Sequence, residues 1–278
     1  MQNKKIVFIS SYPKSGNTWL RSIIGAIYNK NNGKFLITDY KKTPDFSQEK
    51  NFKFFENISY QKNGNINFNF LAKHWIPFQK TINNKSKKIN FFKTHSLRKV
   101  GNYEFTNQET CLGFIYIFRD PRDVSISYAK YAEADLNTAI NVMLFKDDNY
   151  TNFKKTNEWV STWKNHYNSW HQFNSVPSLF IKYEEMILEP LIALDKIIKF
   201  INSLNVDNIE LCDLVKKNIL DSTNFKQLQK LEKKTEGPKK TYFFRKGTSM
   251  QWIDLLTQKQ RNLIENELKD EMLDLGYL

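Results

Sequence analysis

The sequence predicts a three-layer α/β/α fold with a central parallel sheet, and three observations carry that prediction. Short apolar, β-branched runs alternate with stretches whose apolar residues recur at helical spacing, the pattern of strands crossing over through helices. Each strand-like run ends in a polar cluster, where a parallel sheet gathers its ligands. Neither an internal repeat nor a long linker interrupts the pattern, so residues 1–278 read as one domain.

Residues 5–11, KIVFISS, form the first strand-like run. The loop Tyr12-Pro13-Lys14-Ser15-Gly16 follows, and Trp19, Leu20, Ile23, Ile24 and Ile27 then keep helical spacing up to a stop at Asn31-Asn32-Gly33. A second run at 89–92 ends in Lys93-Thr94-His95. The third, LGFIYIF at 112–118, leads into Arg119-Asp120-Pro121-Arg122-Asp123. There Asp120 suits an N-cap, Pro121 the first helical position and Asp123 a capping-box partner, and the helix carries Ser127. A fourth run at 179–183 precedes a helix near 190–203. Helical patterns follow at 207–220, 224–234 and 257–273, broken by a basic loop at 237–249. The less regular segments 34–88 and 132–158 are expected excursions that bind the acceptor.

Composition narrows the function less than the motifs do. The net charge of +13 favours anionic partners, but lysine is abundant throughout and the charge alone selects none. Two cysteines, Cys111 and Cys212, lack metal or disulfide spacing, so a reducing, cytoplasmic setting is expected. The opening MQNKKIVFISSYPK has too short an apolar core for a secretory signal, and no apolar run reaches the ~20 residues of a membrane span. Nine glycines are about half the usual ~7% share, which marks Gly16 and Gly247 as backbone positions that tolerate little else.

The segment SSYPKSGNTWL at 10–20 has the makings of a phosphate cradle. A loop that enters a helix N-terminus turns free N–H groups toward an anion. Gly16 permits close approach, Lys14 brings charge, and Ser15, Asn17 and Thr18 add donors. It is not the nucleoside-triphosphatase pattern, since the lysine precedes the glycine. Of the four histidines, His74, His166 and His171 read as packing or surface residues. His95, two residues after Lys93 at a strand end, is placed to act as a base. No histidine pair or acidic cluster has metal-ligand spacing.

YPKSGNTW closely resembles the 5′-phosphosulfate loop of the cytosolic sulfotransferase family. FIYIFRDPRDVSISY at 114–128 resembles that family's 3′-phosphate segment, with Arg119 at the strand end and Ser127 eight residues on. RKG at 245–247 followed by Trp252 resembles its C-terminal phosphate loop, and KTH at 93–95 the segment bearing its catalytic histidine. The resemblance covers nearly the whole chain in order. It implies a P-loop nucleotide-hydrolase-like sheet and a 3′-phosphoadenosine 5′-phosphosulfate donor. It further implies His95 as general base, and Lys14 and Lys93 as charge-neutralising groups without a metal. Trp19, Tyr183, Thr223, Phe225, Phe243 and Phe244 would frame the adenine, while Arg245, Lys246 and Gly247 would close over a phosphate. The acceptor would be a small molecule, glycan or lipid rather than a nucleic acid.

Two departures stand out. Met250 and Gln251 replace the Gly and Asp with which the family's C-terminal loop usually continues. Ile253, Thr257-Gln258 and Asn262 retain only the threonine of the animal dimerisation segment, so that dimer mode is not expected and the oligomeric state stays open. The competing readings are a P-loop kinase, which lacks its lysine position and metal carboxylate here, a basic nucleic-acid binder with stacking aromatics, and an inactive nucleotide-binding module.

Overall fold

The structure, a computed structural model, describes residues 4–52, 55, 58–59, 66–147, 150–153, 156–237, 244 and 247–278. In chain order its elements begin with β1 (Ile6–Ser10), α1 (Asn17–Ile27), α2 (Phe68–Lys85) and β2 (Asn90–Thr94). A short hairpin of β3 (Lys99–Val100) and β4 (Tyr103–Glu104) leads to β5 (Cys111–Phe118), α3 (Pro121–Tyr131) and α4 (Leu136–Phe145). A second hairpin, β6 (Tyr150–Phe153) with β7 (Thr156–Trp159), precedes α5 (Trp163–His171) and β8 (Ser178–Lys182). The remainder is helical: α6 (Tyr183–Leu188), α7 (Pro190–Ser203), α8 (Asp213–Thr223), α9 (Phe225–Glu236), α10 (Trp252–Leu255), α11 (Gln258–Glu267) and α12 (Lys269–Asp274).

The four strand-like runs of the sequence form one parallel sheet in the order β2-β1-β5-β8. Helices cover both faces, as the alternation predicts. Because successive strand residues point to opposite faces, each central strand feeds two cores. Ile6 and Phe8 of β1, with Phe114, Tyr116 and Phe118 of β5, face an aromatic-rich layer containing Trp75, Trp163 and Trp170. Val7 and Ile9, with Ile115 and Ile117, face an aliphatic layer built from α1, α7 and α8. β1 is buried along its whole length, which explains its continuous apolar run.

Three expectations are revised. The pattern at 207–220 becomes a helix only from Asp213. Ile209 is instead held in the preceding chain by Asn202, whose side chain both donates to its carbonyl and accepts from its amide. The stretch 257–273 divides at Leu268, whose φ of −114° and ψ of 20° end α11 and start α12. Asp120 does cap α3, accepting from the Arg122 amide at 2.9 Å, but Asp123 is no capping-box partner. Its carboxylate is taken by the Arg119 guanidinium and the Trp252 amide, and the Asp120 amide donates instead to Glu184.

Candidate active site

The loop between β1 and α1 meets the geometry a bound anion requires. Lys14 has φ +71° and Gly16 φ +104°, the left-handed region that glycine enters freely and lysine only with strain. A Cβ on Gly16 would lie 2.6 Å from the Tyr183 ring, so that ring seals the loop from below. Asn17 fixes the loop to the strand, donating to the Ile9 carbonyl at 3.1 Å and to Ser11 Oγ at 3.3 Å. Thr18 is the second residue of α1, and its carbonyl accepts from Ser22. Ser15 Oγ, Asn17 Oδ1, Trp19 Nε1 and Arg119 Nε are all buried without a hydrogen-bond partner among the described residues. Buried polar atoms of native proteins are nearly always paired, so the three donors among these four atoms, on Ser15, Trp19 and Arg119, fit a phosphate-bearing ligand, whereas Asn17 Oδ1 can only accept. The Lys14 ammonium lies 4.6 Å from the centre of the Tyr131 ring at the end of α3.

β2 carries Lys93, and His95 just beyond its end, to the same end of the sheet, adjacent to β1. His95 Nδ1 lies 2.7 Å from the Ser11 carbonyl and 3.2 Å from Ser11 Oγ. A carbonyl accepts only, so Nδ1 carries the hydrogen and Nε2 keeps its lone pair. Burial holds the imidazole pKa well below 6.5, and the Lys93 cation adds to the effect; the ring is neutral at physiological pH. Its backbone is fixed at both ends. His166, buried on α5, donates through Nε2 to the His95 carbonyl at 3.1 Å, and its Nδ1 pairs with Tyr116 Oη at 2.9 Å. Glu158 of β7 accepts from the His95 amide. The same carboxylate takes Lys93 Nζ at 3.0 Å, and Asp45 approaches that ammonium at 3.3 Å. Burial raises the Glu158 pKa although Lys93 opposes it. Asp45 is also pushed upward by burial, but Lys93 and Arg21 bring it below its ordinary value.

A cleft opens beside α3, enclosing about 540 Å³ of space continuous with solvent. Lys14, Gly16, Trp19, Arg119, Ser127, Tyr183, Phe225, Phe244 and Gly247 line it. Arg119 is held there from three sides. Its guanidinium bonds Asp123 at 3.2 Å and the Thr248 carbonyl at 2.9 Å, and it lies 4.5 Å from the Tyr183 ring centre. Phe225 and Phe244 meet edge to face at 5.7 Å. Gly247 rests on the Phe225 ring, where a Cβ would come within 2.2 Å.

Most residues named from the sequence therefore converge on this cleft or the cradle at its edge. Thr223 is buried and its hydroxyl donates to the Ile219 carbonyl of its own helix, so it does not line the cleft. Phe243, Arg245 and Lys246 lie outside the described residues. Gln251 also lines the cleft, and Met250 beside it has φ +61°, so methionine holds the left-handed conformation that glycine would adopt without strain. Sequence reasoning missed Asp45, Glu158 and the support from His166, none of which sits in a readable motif. Among the described residues, no group of three or more His, Cys, Asp or Glu is arranged to hold a metal, and no helix is long and apolar enough to cross a membrane.

Comparison with known proteins agrees with the geometry. The sulfotransferase domain model matches residues 4–276. Cytosolic sulfotransferase 7 of Arabidopsis thaliana is 24% identical, over 98% of this chain and 80% of the relative. Sulfotransferase 1A1 of Bos taurus is 22% identical, over 96% and 83%. Mouse sulfotransferase SULT7A1 complexed with PAP superposes with a TM-score of 0.61 at 21% identity, covering 98% of this chain and 84% of that one. Retinol dehydratase in complex with retinol and PAP gives 0.63 at 16% identity, covering 96% and 81%. The chain accordingly belongs to the sulfotransferase domain family and is a sulfotransferase.

Proposed function

We propose that the cleft binds the phosphosulfate donor between two anion sites, with the sulfuryl group directed at His95, and that transfer to the acceptor is direct and in line. The observation that carries this reading is the set of buried donors on Ser15, Trp19 and Arg119 that lack a partner among the described residues, beside a cleft that Trp19 and Arg119 line. The Lys14–Thr18 cradle would hold the 5′-phosphosulfate end, and Arg119 with Ser127 the 3′-phosphate. Trp19, Tyr183, Phe225 and Phe244 would border the adenine between them. The structures of SULT7A1 and retinol dehydratase, each with PAP, support the same ligand.

His95 Nε2 takes the acceptor's proton while the acceptor oxygen, or nitrogen, bonds to sulfur. The S–O bond to the 5′-phosphate breaks, and its electron pair stays on the phosphate oxygen. Lys14 and Lys93 offset the charge developing there and on the sulfuryl oxygens. Positioning supplies most of the rate, as in phosphoryl transfer. The acceptor is a small molecule with a hydroxyl or amine, a class consistent with the retinol and androsterone bound by retinol dehydratase. Asp45 and Glu158, one from each irregular excursion, meet at Lys93, which supports those excursions as walls of the acceptor side.

Calorimetry with adenosine 3′,5′-bisphosphate tests the nucleotide half of the reading, and ³⁵S transfer from labelled donor into a pooled metabolite extract tests the chemistry. Saturable heat and labelled product are expected. A folded protein giving no heat at millimolar nucleotide would reject the site assignment.

A further inference from the structure

Glu158 stands at the junction of the two groups assigned to the chemistry, and neither the motifs nor the fold requires a carboxylate there. One oxygen accepts the His95 backbone N–H, and the other binds Lys93 Nζ at 3.0 Å. The side chain is itself only 6% exposed. A buried carboxylate this far from water is costly unless both oxygens are satisfied, and here they are satisfied by the base and by the cation. Asp45 approaches Lys93 at 3.3 Å with one oxygen while the other accepts from Gln48 at 3.2 Å, and its side chain is 22% exposed. The Glu158 position is anchored from the chain that follows β2, because the next residue, Trp159, donates its amide to Ser96 Oγ and accepts from the Leu97 amide.

We propose that Glu158 is a positioning residue for sulfuryl transfer, a single carboxylate that sets the spacing between the His95 base and the Lys93 ammonium. The inference rests on the assignment of those two residues above. His95 is otherwise held by its ring, through Ser11, and by its carbonyl, through His166; neither contact touches Lys93. Lys93 has a long, flexible stem, and among the described residues Asp45 is the other carboxylate that would hold its ammonium without Glu158. Displacement of a reacting group by about 1 Å can cost on the order of 100-fold in rate.

The test compares Glu158→Gln, Asp45→Asn, Lys93→Met and the Glu158→Gln/Lys93→Met pair in the full-length protein. The readouts are ³⁵S transfer into the pooled extract, calorimetry with adenosine 3′,5′-bisphosphate, and the His95 amide resonance in ¹H–¹⁵N spectra. Glu158→Gln is expected to slow transfer roughly 10- to 100-fold with nucleotide affinity within about twofold, which also certifies the fold. The His95 amide proton is expected to move upfield as its charged acceptor is lost. Asp45→Asn should slow transfer less, and in the Lys93→Met background Glu158→Gln should add much less than it does alone, as coupled residues do. Transfer within twofold of wild type, an unmoved His95 resonance, an additive double variant, or an Asp45→Asn loss equal to that of Glu158→Gln would each overturn the proposal. If His95→Ala retains transfer, the base assignment itself has failed; if His95→Ala is inactive while Glu158→Gln is normal, only the positioning role has. The resonance remains decisive even if no acceptor in the extract is labelled.

Discussion

His95 donates through Nδ1 to the Ser11 carbonyl, which leaves Nε2 as the ring nitrogen able to take a proton. Replacing His95 by Ala should therefore lower ³⁵S transfer by about 10²- to 10⁴-fold, while calorimetry finds bisphosphate affinity within about twofold, since nothing in the cleft lining depends on that ring. Arg119 makes the opposite prediction. Arg119→Ala should weaken adenosine 3′,5′-bisphosphate by roughly 10- to 100-fold, the worth of a charged hydrogen bond, and adenosine 5′-phosphate far less. Equal losses for both ligands would remove the 3′-phosphate from Arg119. Both residues were legible in the sequence because each closes a strand in a motif of several polar residues. Glu158 and Asp45 were not, since a single carboxylate in an irregular segment looks the same whether it faces solvent or a buried lysine. His166 was legible as a packed residue; that its Nε2 is spent on the His95 carbonyl depends on α5 and β2 meeting, which no local pattern reveals.

Among the elements, α1, α3 and α7 could be read directly, α4 was passed over in a segment read as irregular although it buries Ala139, Ile140, Met143 and Leu144, and α2 shows how polar residues hide a helix. Its 18 residues bury Leu71, Trp75 and Phe78, but also Gln79 and Asn83, and Pro77 lies within it. Gln79 accepts from Thr106 and Thr110 at 2.7 Å each. Asn83 bridges the Lys5 amide and the Thr110 carbonyl, at 2.8 Å on both sides. Polar side chains on the inward face erase the periodicity that identifies a helix. The C-terminal loop offers a test of close packing at this scale. Gly247 has φ +66° and lies against Phe225, so Gly247→Ala must both strain the backbone and push the ring. Bisphosphate affinity should fall at least tenfold, while the thermal midpoint drops only a few degrees because the loop is peripheral. An unchanged affinity would mean that the Phe225 wall plays no part in binding.

Across the whole molecule, buried neutral histidines set the response to acid. Burial lowers the His166 pKa to about 3, against ~6.5 in the unfolded chain. The unfolded state therefore binds the extra proton first as pH falls, and stability drops from pH ~6.5 toward 3 by as much as about 1.4 kcal/mol per unit for this residue. The thermal midpoint should decline steadily between pH 6.5 and 4, and His166→Asn should flatten that slope whatever it does to the midpoint at neutral pH. A parallel slope in the variant would show that His166 is already protonated in the fold. That the sheet is parallel and covered on both faces followed from the alternation of strands and helices, whereas its order β2-β1-β5-β8 and the unequal chemistry of its two faces needed the pairing of β1 with β2 and β5. That inequality has an optical consequence. Of six tryptophans, Trp75, Trp163 and Trp170 are sunk in the aromatic layer, with Trp252 packed on its rim, while Trp19 lies against the aliphatic layer at the cleft proposed for the nucleotide. Indole emission would thus report global melting through one side of the sheet, and ligand occupancy through a single fluorophore on the other.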